Sequence, residues 1–575
     1  MMIENGDLIL SYLQRLGVEF VFGVPGGSIE PFYNALARSE RRGGTRAIIA
    51  RHETGAAFMA DGYTRETGKI GVCCSTAGPG ATNLITGVAS AYADGIPMLV
   101  ISAQTAIEKF GRGALQDGSC TGINTLEIFT HCTRFNTLVS HSAQVEHKLL
   151  QAISYAISNR PGPVHLSVPL DVMRDTIEDT EQKATLRAFI NHEVVPSQEA
   201  MHLVLKELAD KNKVTVVIGE GAAGAIDTII ALIESRNWQF VTTPRAKGLV
   251  NNFHPLYRGV FGFAGHESAR DALLPENAER VVVVGTALDE VSTSGWDSSA
   301  IMSRRLIHLS SNSEHLSRSY MAKLCILGSI ELMLKPFSAL LNRHPLRKQI
   351  SRQFNTDGLP SNIQFAHPEK CFSDDSPIKP QALMTYMSAV CPDDTRVLMD
   401  SGNSFLWGIH YWNCKRPHPF NPHKSLFHIG IGFSSMGWAI GAAVGIAAGA
   451  KGKPVVCFTG DGSMLMSGQE ITTALQERLN VLFIVLNDSA LGMVRHGQRI
   501  GGAEPIGNEL PSINFAQMAQ AMGVEAYRIE HMSDLKQLDI QALLNRHAPC
   551  LLDVVIDREE VPPMGARMKV LTGAA

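Results

Sequence analysis

Short runs of β-branched and aliphatic residues, each bounded by Gly, Pro or Asp, recur along the chain, and no other feature restricts its fold as strongly. They fall at 47–50, 70–75, 98–102, 164–168, 214–219, 281–285, 455–459, 481–486 and 551–556. Between them lie segments with helical periodicity, such as 5–16 and 145–158. A strand that is apolar throughout, rather than on alternate residues, must be covered on both faces. Strands of this kind alternating with helices therefore predict parallel sheets. The right-handed crossover rule then favours doubly wound α/β layers. A chain of 575 residues is too long for one core and suggests about three such domains.

Two shifts in composition place the boundaries. Residues 177–195 are polar and mixed, and residues 343–379 are charged, proline-bearing and without a sustained period. The expected division is an N-terminal domain at 1–180, a central domain at 190–340, a linker at 341–374, a C-terminal domain at 375–560 and a tail at 561–575. Lys and Arg number 51 against 55 acidic residues, which gives no basic surface for nucleic acid or anionic lipid. The N-terminus carries Glu4 and Asp7 and has no signal-peptide pattern. The longest stretch of apolar and small residues, 438–450, is shorter than the ~20 residues a membrane span needs. Its Gly and Ala content suits a helix pressed against neighbouring backbone. Ten scattered cysteines lack zinc-site spacing and read as reduced thiols, so a cytoplasmic enzyme is expected.

Several segments at strand ends carry chemistry. Gly460-Asp461-Gly462-Ser463 follows the strand 455–459, a helix is expected at 469–477, and the strand 481–486 runs into Asn487-Asp488. This βαβ unit brings Asp461 and Asn487-Asp488 to the carboxyl edge of one sheet, where ligands bind. Oxygen ligands there suit a hard divalent cation, and small residues let backbone N–H groups approach a diphosphate. Alone, the tetrapeptide reads equally well as a helix cap. Asp488 and Asn487 are both kept as metal ligands beside Asp461, and Ala490 joins the set. Arg51-His52-Glu53-Thr54-Gly55 follows the strand 47–50, and Thr76-Ala77-Gly78-Pro79-Gly80-Ala81-Thr82-Asn83 follows the strand 70–75. By themselves these are a first-turn acid favoured by the helix dipole and an ordinary glycine-rich connection.

Together and in this order, the segments resemble the thiamine-diphosphate-dependent enzymes of the acetolactate synthase type, whose cofactor motif opens with Gly-Asp-Gly and closes with paired Asn. The likeness extends to Gly23-Val24-Pro25-Gly26-Gly27, 89–97, Gln116, Arg160-Pro161-Gly162-Pro163-Val164, Asp400-Ser401-Gly402-Asn403, Gly432-Phe433-Ser434-Ser435-Met436-Gly437 and Leu491-Gly492-Met493-Val494. It implies three doubly wound domains that bind the pyrimidine, form the centre and bind the diphosphate. It implies thiamine diphosphate and Mg²⁺ as cofactors. Glu53 would contact the aminopyrimidine ring and favour the tautomer that removes the thiazolium proton. Gln116 would stand in the active-site wall. Pro25, Gly26, Thr76, Gly80 and Asn83 would line the pyrimidine side. Ser401, Gly402, Asn403, Ser434 and Gly460 to Ser463 would face the diphosphate. Met436 would prop the bent cofactor, and Leu491, Gly492 and Met493 would line the substrate pocket.

The resemblance further implies a 2-keto acid, pyruvate first, as donor, a carbonyl compound as acceptor, and a homodimer or homotetramer with sites shared across an interface. A decarboxylase or lyase using the same cofactor, and a catalytically silent paralogue, stay open as alternatives. Departures from the family pattern are informative. Asp488 stands where relatives have Asn, Asn403 where many have Gln, and Gly497 where a Trp commonly shapes the acceptor pocket. Losing that indole suggests an acceptor bulkier than pyruvate or 2-ketobutyrate. FAD, a structural cofactor in the central domain of acetolactate synthases, is left open, because Ala264 and Ala287 replace the His and Arg of that site.

Overall fold

A computed structural model describes residues 2–178, 186, 194–341, 354–416 and 425–565. Three six-stranded sheets, every pairing parallel, succeed one another along the chain. A short antiparallel pair, β1 (Met2–Glu4) with β8 (Thr176–Glu178), ties together the two ends of the first unit. The first sheet comprises β2 (Phe20–Gly23), β3 (Arg46–Ile49), β4 (Gly71–Ser75), β5 (Met98–Gln104), β6 (Phe135–Leu138) and β7 (Pro163–Pro169), in the order β3-β2-β4-β5-β7-β6. The central sheet comprises β9 (Val214–Ile218), β10 (Gln239–Thr242), β11 (Tyr257–Val260), β12 (Arg280–Val284), β13 (Leu306–Ser310) and β14 (Leu324–Leu327), in the order β11-β10-β9-β12-β13-β14. The last comprises β15 (Arg396–Met399), β16 (Phe427–Ile429), β17 (Val455–Gly460), β18 (Leu482–Asn487), β19 (Glu525–Ile529) and β20 (Cys550–Val555), in the order β16-β15-β17-β18-β20-β19. The doubly wound parallel architecture expected from the sequence is the one observed.

The first and third sheets turn back at their far edge, where β7 lies inside β6 and β20 inside β19, and each of the three orders reverses in its interior, between β2 and β4, between β9 and β12, and between β15 and β17. At such a reversal the connections leave in opposite directions and open a crevice beyond the strand ends. The segments with chemical character sit at the first and third of these crevices. Pro25-Gly26 follows β2 and Thr76 follows β4, whereas Ser401 follows β15 and Asp461 follows β17.

The helix Trp438–Ala450 is buried along its whole length. It lies against the helix Glu53–Thr67 so closely that a Cβ on Gly445 would strike the Met59 carbonyl oxygen and one on Gly62 the Ala442 carbonyl oxygen. Its small residues thus weld the first unit to the third. Within the expected connection 341–374, residues 342–353 lie outside the described residues. The rest is no free linker, since Ile363, Phe365 and Cys371 are buried and Ala366 N–H donates to His410 Nε2 at 2.9 Å. Most of the first expected boundary, 181–189, and the tail beyond 565 also lie outside the described residues. All ten cysteines are free, seven of them buried. Among the described residues no helix is long and apolar enough to cross a membrane.

Candidate active site

Glu53 opens its helix directly after β3, and the residue is 8% exposed. The backbone enters the helix in an extended conformation at His52, whose ring accepts the Thr54 N–H at 3.2 Å. Asn83 Nδ2 donates to Glu53 Oε2 at 2.9 Å, and the Asn83 carbonyl in turn accepts from Thr54 Oγ1 at 2.6 Å. The other oxygen, Oε1, faces Gly80, where a Cβ would come within 3.3 Å of it and 2.9 Å of Thr76 Cγ2. A Cβ on Gly26 would lie 2.7 Å from Thr76 Cβ. Gly26, Thr76, Gly80, Asn83 and Glu53 therefore form one cluster, with the exposed Pro25 at its rim. Thr76 Oγ1 is buried there without a hydrogen-bond partner. Gln116 is exposed, in the left-handed conformation (φ 60°), and its Cβ would lie 2.9 Å from a Cβ on Gly78. Its loop is anchored by Gln104 Oε1, which accepts from the N–H groups of Thr105 (2.9 Å) and Gly118 (3.0 Å).

The second cluster surrounds the end of β17. The helix starts at Asp461 itself, eight residues ahead of the expected 469–477, which the structure divides into a 3₁₀ turn and the helix Ile471–Gln476. Asp461 Oδ1 accepts the Gly462 N–H at 2.7 Å, and the Ala490 N–H reaches both Asp461 Oδ2 and Asp488 Oδ1 at 3.2 Å. One N–H thus draws two carboxylates together. Burial pushes the Asp461 carboxyl up to about 6; burial and the neighbouring Asp461 charge push Asp488 up to about 7. Asn487 takes a different part. Its Nδ2 donates to Asp553 Oδ1 at 2.8 Å and to the Ile513 carbonyl at 2.9 Å, which ties the side chain to the neighbouring strand β20. Asp488, not Asn487, is the partner of Asp461. For Ala490 the structure shows an N–H aimed at the carboxylates.

The diphosphate-side residues gather around this pair. Ser401 Oγ bonds Ser434 through both the carbonyl and the hydroxyl at 2.8 Å, and Ser434 is held at φ 59°. A Cβ on Gly462 would meet Leu491 Cδ2 at 2.7 Å and Met436 Cε at 3.2 Å. A Cβ on Gly492 would lie 2.6 Å from both Asn403 Nδ2 and Asp488 Oδ2. Gly402 needs its φ of 104°, and Gly460 ends the strand. Met493 is half-buried against the core of the third unit. Ser463 Oγ and Asn403 Oδ1 are buried without partners.

Residues 3–122 match the family described as "Thiamine pyrophosphate enzyme, N-terminal TPP binding domain", residues 201–337 its central domain and residues 400–554 its C-terminal TPP binding domain. The chain is 30% identical to the acetolactate synthase isozyme 1 large subunit of Escherichia coli (strain K12), over 99% of this chain and 97% of that one. It is 29% identical to a probable acetolactate synthase large subunit of Methanococcus aeolicus (98% and 94%) and to the acetolactate synthase large subunit of Lactococcus lactis (98% and 94%). The chain belongs to the acetolactate synthase family of thiamine pyrophosphate enzymes.

The thiamine diphosphate of this family fits the residues present. Buried polar groups that lack partners cost free energy unless a ligand or water satisfies them. Among the described residues, Thr76 Oγ1 stands unpartnered in one cluster and Ser463 Oγ with Asn403 Oδ1 in the other, each in a cradle that a Cβ would fill.

At the central crevice the Gly221 N–H is taken by the Gly285 carbonyl at 2.8 Å, and Glu220 begins the helical turn. A cavity of about 410 Å³ opens there, and its lining is of mixed charge: the carboxylates Asp94, Glu220 and Asp289 stand among the guanidinium groups of Arg65, Arg134, Arg245 and Arg318.

The sequence offered Asp400 only as part of the likeness at Asp400-Ser401-Gly402-Asn403, without a role, and gave no sign of Glu470. Asp400, fully buried, accepts from Thr459 Oγ1 (2.8 Å) and from the N–H groups of Ser401 (3.0 Å), Gly437 (3.0 Å) and Ala439 (3.3 Å), so it fixes the loop that carries Met436. Glu470 reaches the residues just before Glu53. The backbone partners of Glu470 lie more than four hundred positions away, where local sequence gives no sign of them.

Proposed function

We propose that this chain decarboxylates a 2-keto acid, pyruvate first among them, and transfers the two-carbon unit to a carbonyl acceptor, using Mg²⁺ together with thiamine diphosphate. The observation that carries this reading is the Glu53 carboxyl, held by Asn83 on one oxygen and open on the other beside Gly80 and Thr76. Bound there, the coenzyme supplies a carbon nucleophile and an electron sink for breaking the bond to a carboxylate.

The protein's part is to bind, orient and exchange protons. Glu53 Oε1 would meet a ring nitrogen of the pyrimidine and serve it as an acid–base group, while Asn83 keeps the carboxyl from rotating away. Asp461 and Asp488 would hold Mg²⁺, a hard cation suited to carboxylate oxygens, which would neutralise charge on the diphosphate. This suits a site with a pair of acids; among the described residues no group of three or more metal-binding side chains occurs. Ser401, Asn403 and Ser463 meet the diphosphate, Met436 supports the bend of the coenzyme, and Gln116 meets substrate from its loop.

The acceptor is larger than a second pyruvate. A Cβ added to Gly497 would meet no atom within 4 Å, so the helix Gly492–Gly501 leaves open space where a bulky side chain would form a wall. A homodimer or homotetramer is expected, because apolar side chains next to site residues stand in solvent in the single chain: Leu115 beside Gln116, Phe433 beside Ser434 and Val494 beside Met493.

Mass spectrometry of products from pyruvate, Mg²⁺ and thiamine diphosphate with a panel of carbonyl acceptors tests the reading. A 2-hydroxy ketone built from a larger aldehyde or ketone is expected. Acetolactate as the sole product would overturn the acceptor assignment, aldehyde alone would make the enzyme a decarboxylase, and no release of CO₂ would reject catalysis.

A further inference from the structure

Glu470 belongs to the third unit but grips the first. It is 0% exposed and sits in the 3₁₀ turn Gly468–Glu470, which continues the helix that begins at Asp461. Its oxygens accept the Arg51 N–H at 3.0 and 3.1 Å and the His52 N–H at 3.0 Å. These are the last two backbone donors before Glu53. Thr473 Oγ1 fixes the Glu470 carboxylate from the other side at 2.8 Å. Arg51 spreads over the next helix, with Nε on Thr472 Oγ1 at 2.8 Å and Nη2 on Gln476 Oε1 at 2.8 Å. Gly55 is glycine of necessity, since a Cβ there would collide with Glu470 Oε1.

An acid buried at the start of a helix, with its lone pairs aimed at two consecutive N–H groups, fixes both the direction of the chain and the first turn. The residue so delivered is Glu53, whose side chain then needs only Asn83 to set its rotamer. Resting on the reading of Glu53 given above, we infer that Glu470 is a positioning residue for Glu53. It also links the diphosphate-binding unit of each chain rigidly to the proton-handling carboxyl of the same chain, through the helix Asp461–Ser467.

The test compares wild type with Glu470→Gln, both loaded with Mg²⁺ and thiamine diphosphate. The amide keeps the size of the side chain but turns an NH₂ group toward backbone donors. Hydrogen–deuterium exchange at the thiazolium C2 of the bound coenzyme, followed by quenched-flow NMR, should slow by about 100-fold, as expected when a catalytic group is displaced by on the order of 1 Å. Coenzyme affinity by calorimetry should stay within about 3-fold, because the diphosphate contacts are untouched. A merely structural role would weaken affinity and lower the melting temperature while leaving the exchange rate of the bound fraction unchanged; that result overturns the inference. So does equal exchange in the two proteins. If Glu470→Gln does not fold, Glu470→Asp, which keeps the charge but withdraws the oxygens from both N–H groups, gives the same readout: slowed exchange is expected, and an unchanged rate overturns the inference. Wild-type exchange no faster than that of free coenzyme would instead sink the proposed role of Glu53, so the two failures are separable.

Discussion

Glu53 and the Asp461–Asp488 pair face opposite demands, and each supports a prediction. Glu53 acts through a proton, so Glu53→Gln should retain the hydrogen bond network and coenzyme affinity yet lose activity by roughly 10²–10⁴-fold, the usual worth of a positioned acid–base group. Activity within tenfold of wild type would remove Glu53 from the chemistry. The two aspartates share one donor and repel each other where burial leaves little water to screen them. Asp488→Asn should therefore stabilise the metal-free protein. It should also shrink the rise in melting temperature that Mg²⁺ produces in wild type. Thermal melts with chelator and with Mg²⁺ decide both points, and an unchanged response to Mg²⁺ would deny Asp488 a role as ligand. Glu53 and Asp461 were legible because each follows a readable strand. Glu470 was not, because its backbone partners are set by packing and lie some four hundred positions away.

Elements were legible where their residues form apolar runs. All nine strands read from apolar runs are present; eight lie between two neighbours, where apolar residues are needed on both faces, and the ninth, β3, is at an edge. The edge strand β6, Phe-Asn-Thr-Leu, is half-buried at every residue and too short for its pattern to register. Nor did the sequence reveal how the 3₁₀ turn Pro244–Leu249 docks on the helix Asn403–Tyr411. There Lys247, 1% exposed, donates to the carbonyl oxygens of Ile409 at 2.5 Å and Gly408 at 3.3 Å, capping the last turn of that helix. Burial drives its proton affinity down to about 7. The unfolded chain holds the same proton to about pH 10.4. Between these values unfolding takes up a proton, so this residue's contribution makes stability rise with pH, by up to about 1.4 kcal/mol per unit. Below pH 7 both states are protonated and the full cost of burying the charge is present. Relative to Lys247→Met, wild type should gain unfolding free energy between pH 7 and pH 9. Parallel denaturation curves at the two pH values would show that Lys247 keeps its ordinary affinity.

At the scale of the whole molecule, three parallel sheets in series were legible, and the apolar runs mark them without any knowledge of partners. What a single chain cannot display is a complete site, if Glu53 serves a coenzyme anchored by another copy. Within one chain the first and third units are joined back to back through the helices Glu53–Thr67 and Trp438–Ala450 and through a Ser90–Ser435 contact at 2.7 Å, while Leu115, Phe433, Leu465, Met466 and Val494 remain in solvent. A two-fold dimer covering those side chains would build each site from the Glu53 cluster of one chain and the Asp461 cluster of its mate. Such a site has a genetic signature. Glu53→Gln and Asp461→Ala are each inactive alone, because every site in either homodimer lacks one essential group. Co-expressed in equal amounts, they pair at random, and half the dimers are mixed. In a mixed dimer one site inherits both defects and the other inherits neither. Activity should therefore return to about a quarter of the wild-type level, carried by the mixed dimers alone when differently tagged chains are separated. If each chain instead held a self-sufficient site, no pairing could restore one, and the mixture would stay as inactive as its parents.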